Sequence, residues 1–300
     1  MMTPRTTTRR LERHLGDWMR ARLPSWAAEL VMFVLKLGWS ALFGVCLLLS
    51  IILTRAVWSD AMPLYRYDML VIVAVGLQAL FLALKLETWE EARVILLFHA
   101  TGTVMEIFKV HAGSWAYPEP GVLKLWGVPL FSGFMYASVG SFMARVIRVF
   151  DMRFAPFPPF WSTLVLAIAI YVNFFAQHFL PDIRSGLFAA TVLLFLRTRI
   201  WFHIGRNLYW MPLPLAAFLS SIFLWIAENI GTMTGTWVYS GQARLELVNV
   251  GKLGSWYLLL YVAFATVTLV VRKPLSRTAF VRSDLASAAQ EPSAPRPAKG

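Results

Sequence analysis

Glu106 and Glu228 each fall near the end of a long apolar stretch, where an ionised carboxylate is costly unless it is paired or faces water. Each heads the same short pattern. Residues 106–117 read Glu-Ile-Phe-Lys-Val-His-Ala-Gly-Ser-Trp-Ala-Tyr, and residues 228–239 read Glu-Asn-Ile-Gly-Thr-Met-Thr-Gly-Thr-Trp-Val-Tyr. Both follow Glu, six residues, Gly, Ser or Thr, Trp, any residue, Tyr. A Trp and an intramembrane Glu recurring together at one offset of 122 residues mark an internal repeat.

These residue types suit proton transfer on a lipophilic molecule. Either glutamate could act as a general acid, and Trp115 and Trp237 could steady a cationic intermediate with their ring faces. Tyr117, Tyr239, Asn229 and His99, which lies seven residues before Glu106, complete the candidate lining. Lys109 stands one turn beyond Glu106 as a candidate ion partner, whereas the matching position after Glu228 is Gly231. The two surroundings are therefore expected to hold one acid charged and the other neutral, as acid–base chemistry requires. A plainer role is open as well, because Trp and Tyr populate membrane interfaces and a buried Glu can simply bond a neighbouring helix. Glu29 and Lys36 on one helical face, with Asn173, Gln177 and His178, are weaker candidates for the same polar interior.

The elements that must carry these residues follow from composition. Of 300 residues 58% are hydrophobic and only 15% charged, with a mean hydropathy of +0.60, too apolar for a surface facing water. A spanning helix needs roughly 20 apolar residues to cross about 30 Å of hydrocarbon. The apolar runs predict helices near 27–54, 68–86, 93–110, 127–147, 161–180, 185–201, 212–230 and 251–271, making an all-α polytopic membrane protein of about eight transmembrane helices. A barrel is excluded, since its strands are about ten residues of strict alternation.

In this scheme the motif copies lie four spans apart and emerge on one side. That predicts a parallel 4+4 duplication, with halves at 26–149 and 150–272. A basic segment, 1–25, precedes the first half, and a Pro-rich tail, 273–300, follows the second and is expected to be disordered. Gly113 and Gly235 are expected to end their helices. Arg145, Arg148 and Arg153, then Arg197, Arg199 and Arg206, then Arg272, Lys273, Arg277 and Arg282 follow even-numbered spans. This clustering predicts cytoplasmic N- and C-termini. A rival seven-span scheme makes 185–201 re-entrant. The loop from Lys85 to Arg93, with Glu87, Glu90 and Glu91, reads as a solvated turn.

A net charge of +12 resides in loops between spans, so membrane lipid rather than nucleic acid is the expected partner. Cys46 is the single cysteine and precludes an intramolecular disulfide. With no phosphate loop, nucleophile elbow or metal-spaced His/Cys set, neither a metal nor a cofactor is expected.

The stretch Glu106, Gly113, Trp115, Tyr117, Pro118, Glu119, Pro120, Gly121, then Trp126-Gly-Val-Pro-Leu-Phe-Ser-Gly-Phe-Met-Tyr136, resembles a bacterial membrane family catalogued as domain of unknown function 817, over about residues 27–275. More distantly, the glutamate, the Gly-aromatic-x-Tyr turn and the Gly-Val-Pro-Leu opening of the next helix resemble the carotenoid hydratase and membrane lycopene cyclase group. The resemblance implies protonation of a double bond in a polyene lipid. That group's second acidic patch has no match in this chain. Three functions stand open from the residues: a polyene or isoprenoid lipid enzyme with an intramembrane glutamate as general acid, a small-solute or proton-coupled transporter, and a non-catalytic membrane partner.

Overall fold

The computed structural model describes residues 14–59, 61–176, 179–205, 207–243 and 245–276. The apolar runs fold as helices α1 (Ser25–Ser40), α2 (Leu42–Val57), α3 (Arg66–Ala83), α4 (Trp89–His111), α5 (Phe131–Val149), α6 (Phe160–Ala176), α7 (Arg184–Phe195), α8 (Leu213–Met233) and α9 (Gly251–Val270). Short strands join them: β1 (Trp115–Ala116), β2 (Lys124–Leu125), β3 (Val128–Pro129), β4 (Arg153–Ala155), β5 (Arg199–Ile204), β6 (Asn207–Pro212) and β7 (Val238–Tyr239). The chain is mostly helical, and α3, α4, α8 and α9 are each long and apolar enough to cross a membrane.

Local chemistry fixes both ends of α4 and the last turn of α8. At the start of α4, Thr88 Oγ1 accepts from the Glu91 backbone N–H at 3.2 Å while Glu91 Oε2 accepts from the Thr88 N–H at 2.8 Å, a reciprocal cap that satisfies two orphan donors. At the end, Ser114 N–H bonds Lys109 O and Gly113 N–H bonds Val110 O. The end of α8 repeats this, Thr236 to Gly231 and Gly235 to Thr232. This closure needs a left-handed residue, and Gly113 (φ +70°) and Gly235 (φ +65°) supply it.

Several expectations need correction. The first span, 27–54, is not one rod, because α1 and α2 meet at a 70° bend around Ala41 and reach spanning length only as a pair. The sixth, 185–201, is helical only to Phe195. Twelve residues make about 18 Å at 1.5 Å per residue, short of the hydrocarbon thickness. Beyond it Ile200, Phe202 and Ile204 are buried in alternation, a period of two that selects strand over helix. Strands β4, β5 and β6 form one antiparallel sheet. Lys36 Nζ donates to His203 O on β5 at 3.0 Å, and Glu29 accepts from the Asn207 side chain on β6, so neither joins a central polar interior.

The turn between α3 and α4 is solvated only in part, with Lys85 and Glu90 exposed. Glu87 and Glu91 are buried and pair with Arg145 and Arg148 of α5 at 2.6 and 2.7 Å. Gln78 and Ser141 also donate to Glu87. Arginines counted from sequence as free loop charges are thus partly spent within the fold. The expected disordered tail also begins ordered: Phe154 N–H donates to Pro274 O, and Ser276 N–H donates back to Phe154 O. Residues 277–300 lie outside the described residues.

Candidate functional site

A cavity of about 520 Å³ opens where α4 and α8 end, and Glu106 and Glu228 both line it. Each carboxyl sits five residues from the end of its helix. Each is met by three aromatic donors. Trp115 Nε1 and Tyr117 Oη donate to Glu106 Oε2 at 2.7 and 2.8 Å, and Tyr136 Oη donates to Oε1 at 2.6 Å. Trp237 Nε1, at 3.2 Å, and Tyr239 Oη donate to Glu228 Oε1, and Trp256 Nε1 donates to Oε2 at 2.5 Å. In both copies one oxygen takes the motif's own Trp and Tyr, and the other takes one donor from the following helix. A carboxylate offers about four acceptor positions, so each retains one, on the singly bonded oxygen.

The two donor sets touch each other. Trp115, serving Glu106, meets Tyr239, serving Glu228, edge to face at 5.7 Å. Tyr136 and Trp256 lie 6.2 Å apart. Strands β1 and β7 pair antiparallel, Trp115 opposite Tyr239 and Ala116 opposite Val238, and Ser240 ties back to Gly113 O. The turn after α8 is anchored to α3 as well, through Tyr67 Oη to Thr236 O at 2.7 Å and Arg66 Nη2 to Thr236 Oγ1 at 3.1 Å. Burial, then the nearby glutamate, pushes the Tyr117 and Tyr239 phenols well above the ordinary tyrosine range, so both stay O–H donors at neutral pH.

Lys109, Trp115, Tyr117, Trp237 and Tyr239 line the cavity beside the glutamates. His99 and Asn229 are not in its lining. The His99 ring packs on Phe134 at 4.3 Å, and Asn229 holds the backbone, donating to Trp225 O and accepting from Val248 N–H. Asn173 binds Asp182 and Ile183, while Gln177 and His178 lie outside the described residues. Lys109, the candidate ion partner of Glu106, donates Nζ to Phe174 O at 2.5 Å, and Lys252 joins Glu228 in the lining. The two motif tryptophans spend their N–H groups on the carboxyls, and the face of the Trp115 ring lies 5.7 Å from the Lys252 ammonium. The Trp237 ring fills the space a side chain at Gly231 would take.

Sequence reasoning missed Tyr136, Trp256, Lys252, Arg184 and Asp182, all in the lining. Tyr136 and Trp256 stand 30 and 28 residues after their glutamates, so the repeat slips by two and changes residue type between them. An aromatic donor opposite each acid was the signal available. A side chain at Gly102 would collide with Tyr136 at 2.7 Å, so this glycine lets Tyr136 lie flat on α4 and reach Glu106. At the rim, Asp182 accepts from Arg184 Nε, the Arg184 N–H and Asn173. Burial alone would raise its carboxyl, but those hydrogen bonds prevail and hold it below the ordinary aspartate range.

Residues 29–264 match the family described as Protein of unknown function (DUF817). The chain belongs to that family. It is 41% identical over 239 residues to the uncharacterized protein YoaT of Bacillus subtilis (strain 168), covering 78% of this chain and 90% of the relative. Among solved structures, a cross-linked trimer of an MvINS variant aligns with 62% of this family member and 96% of its own chain, at 14% identity and a TM-score of 0.46.

Proposed function

We propose that this chain is an inner-membrane protein with both termini cytoplasmic, whose two duplicated halves enclose an acid–base site for a lipophilic molecule of the isoprenoid or polyene class. The observation that carries this reading is the pairwise contact between the donors of Glu106 and those of Glu228 around one cavity. Two buried acids so joined act as one unit. Their carboxyls are also within electrostatic range of each other.

The antiparallel pairing of Ala116 with Val238 supports the duplication, because these positions are separated by the repeat offset itself. Equivalent residues facing each other across a strand pair are what a local two-fold axis produces. In the 4+4 scheme the bent α1–α2 pair, α3, α4 and α5 form one set, and α6, α7, α8 and α9 the other, the sixth of the eight segments being the short α7.

The donors suggest how a proton moves. An indole N–H can donate but not accept. Two of Glu228's three partners are indoles, so a proton carried by Glu228 has only Tyr239 or the cavity to go to. Glu106 is bonded by two phenols, which can relay in both directions. Glu228 is accordingly the group that exchanges a proton with the ligand, directly across the cavity. Five residues put each acid about 8 Å from its helix end at 1.5 Å per residue. That depth suits an amphiphile entering from the interface better than a carrier, whose site lies near the midplane.

The test is the membrane lipid profile of a deletion strain complemented with wild type, Glu228→Gln or Glu106→Gln. A lipophile should accumulate in the deletion, be cleared by wild type and persist with Glu228→Gln. Clearance by both variants contradicts acid–base use of the pair.

A further inference from the structure

Besides its glutamates, the cavity is lined by three cations, Lys109, Arg184 and Lys252, close enough to repel one another. The carboxylates in the lining are already supplied with donors. Each glutamate takes three aromatic groups, and Asp182 takes Arg184 and Asn173. Among the described residues Lys252 forms no ion pair, and its ammonium lies over the Tyr239 ring at 4.1 Å and 5.7 Å from that of Trp115. Arg184 directs Nε at Asp182 and Nη1 at Ser255 Oγ, so its Nη2 has no acceptor among the described residues. Lys252 and Arg184, grouped and with donors unspent among the described residues, constitute a seat for an anion.

Their place in the fold assigns a shape to the ligand. Arg184 opens α7 and Lys252 sits in the first turn of α9, at the rim. Leu224, one turn before Glu228, and Leu259, two turns beyond Lys252, line the cavity deeper down. Charge at the rim, acids beneath it and aliphatic walls below match a molecule with an anionic head and an apolar chain.

We propose that this cavity binds an amphiphile with a phosphate-type anionic head, seated on Lys252 and Arg184 with Lys109 alongside, its chain running inward past Glu228. The proposal rests on the lipophile reading above and adds the head group. A phosphate fits the donor set because it presents several oxygens to the Arg184 Nη2 and the Lys252 ammonium at once.

The experiment uses the full chain in dodecyl maltoside micelles and follows tryptophan fluorescence, since Trp115, Trp237 and Trp256 all line the cavity. Titrants are dodecyl phosphate, inorganic phosphate, dodecyltrimethylammonium and dodecanol. Dodecyl phosphate should give a saturable change, weakened about tenfold by Lys252→Gln or Arg184→Gln, as expected for loss of one charge-assisted contact. Lys252→Arg should keep most of the affinity, which separates lost charge from lost fold. Inorganic phosphate binding as tightly as dodecyl phosphate would overturn the amphiphile in favour of a free anion. Dodecanol or dodecyltrimethylammonium binding as tightly, with no effect of Lys252→Gln, would overturn the anionic head while leaving a lipophile site. No saturable change with any titrant would remove both this proposal and the reading on which it rests.

Discussion

The two copies of the motif end their helices alike and hold their acids alike, yet they differ in what stands three residues beyond the glutamate. After Glu106 that residue is Lys109, which reaches across to Phe174 O. After Glu228 it is Gly231, and the bare backbone there admits the Trp237 ring, which would lie 1.9 Å from an added Cβ. With no side chain at Gly231, the indole of the second copy lies flat against its helix. The two copies therefore share the carboxyl and its donors in geometry and differ in the position three residues on, a lysine reaching a carbonyl in one and close packing in the other.

The largest expected effect comes from breaking that packing. Gly231→Ala should expel the Trp237 ring and its bond to Glu228, costing about 3 kcal/mol from overpacking and the lost hydrogen bond. Lys109→Ala, at the equivalent place, leaves the Trp115 bond intact and should cost about 1 kcal/mol. Thermal unfolding in detergent compares the two, and equal losses would erase the distinction between copies. Next, Tyr136→Phe removes one donor from Glu106 with little change of shape. It should cost about 1–2 kcal/mol, the range for a buried acceptor left short of a partner. A neutral result would mean that the donor from the following helix is dispensable.

The smallest effect tests what the copies share. Gly113→Ala and Gly235→Ala each force an alanine into the left-handed region, at about 1 kcal/mol. The two losses should agree, because the helix ends are closed by the same pair of backbone bonds. Different losses would sharpen the comparison by locating asymmetry in the turns as well.

Much of this was legible in the residues. The Glu, Gly, Trp and Tyr of each copy are local to one helix end, and their spacing alone brings the Trp and Tyr back over the acid through the glycine turn. The helices at 66–83, 89–111, 213–233 and 251–270 were legible for the same reason, since long apolar runs need no partner to be recognised. What stayed hidden depends on contacts distant in sequence. Tyr136 and Trp256 reach the glutamates from neighbouring helices, and Lys252 and Arg184 come to the rim only through packing of α7 and α9. The α3–α4 turn looked solvated because Glu87 and Glu91 are charged, and only the fold brings Arg145 and Arg148 onto them. At 185–201 an apolar run of mixed period concealed a helix followed by a strand, and hydropathy does not distinguish the two.

The central claim, that Glu106 and Glu228 form one site, is tested most directly by a double-mutant cycle of Glu106→Gln and Glu228→Gln on unfolding free energy. Groups that share partners couple, whereas independent sites add within about 0.3–0.5 kcal/mol. With their donors in contact through Trp115 with Tyr239 and Tyr136 with Trp256, the predicted coupling is about 1 kcal/mol or more. Strict additivity would contradict the shared site and reduce the repeat to two separate helix ends.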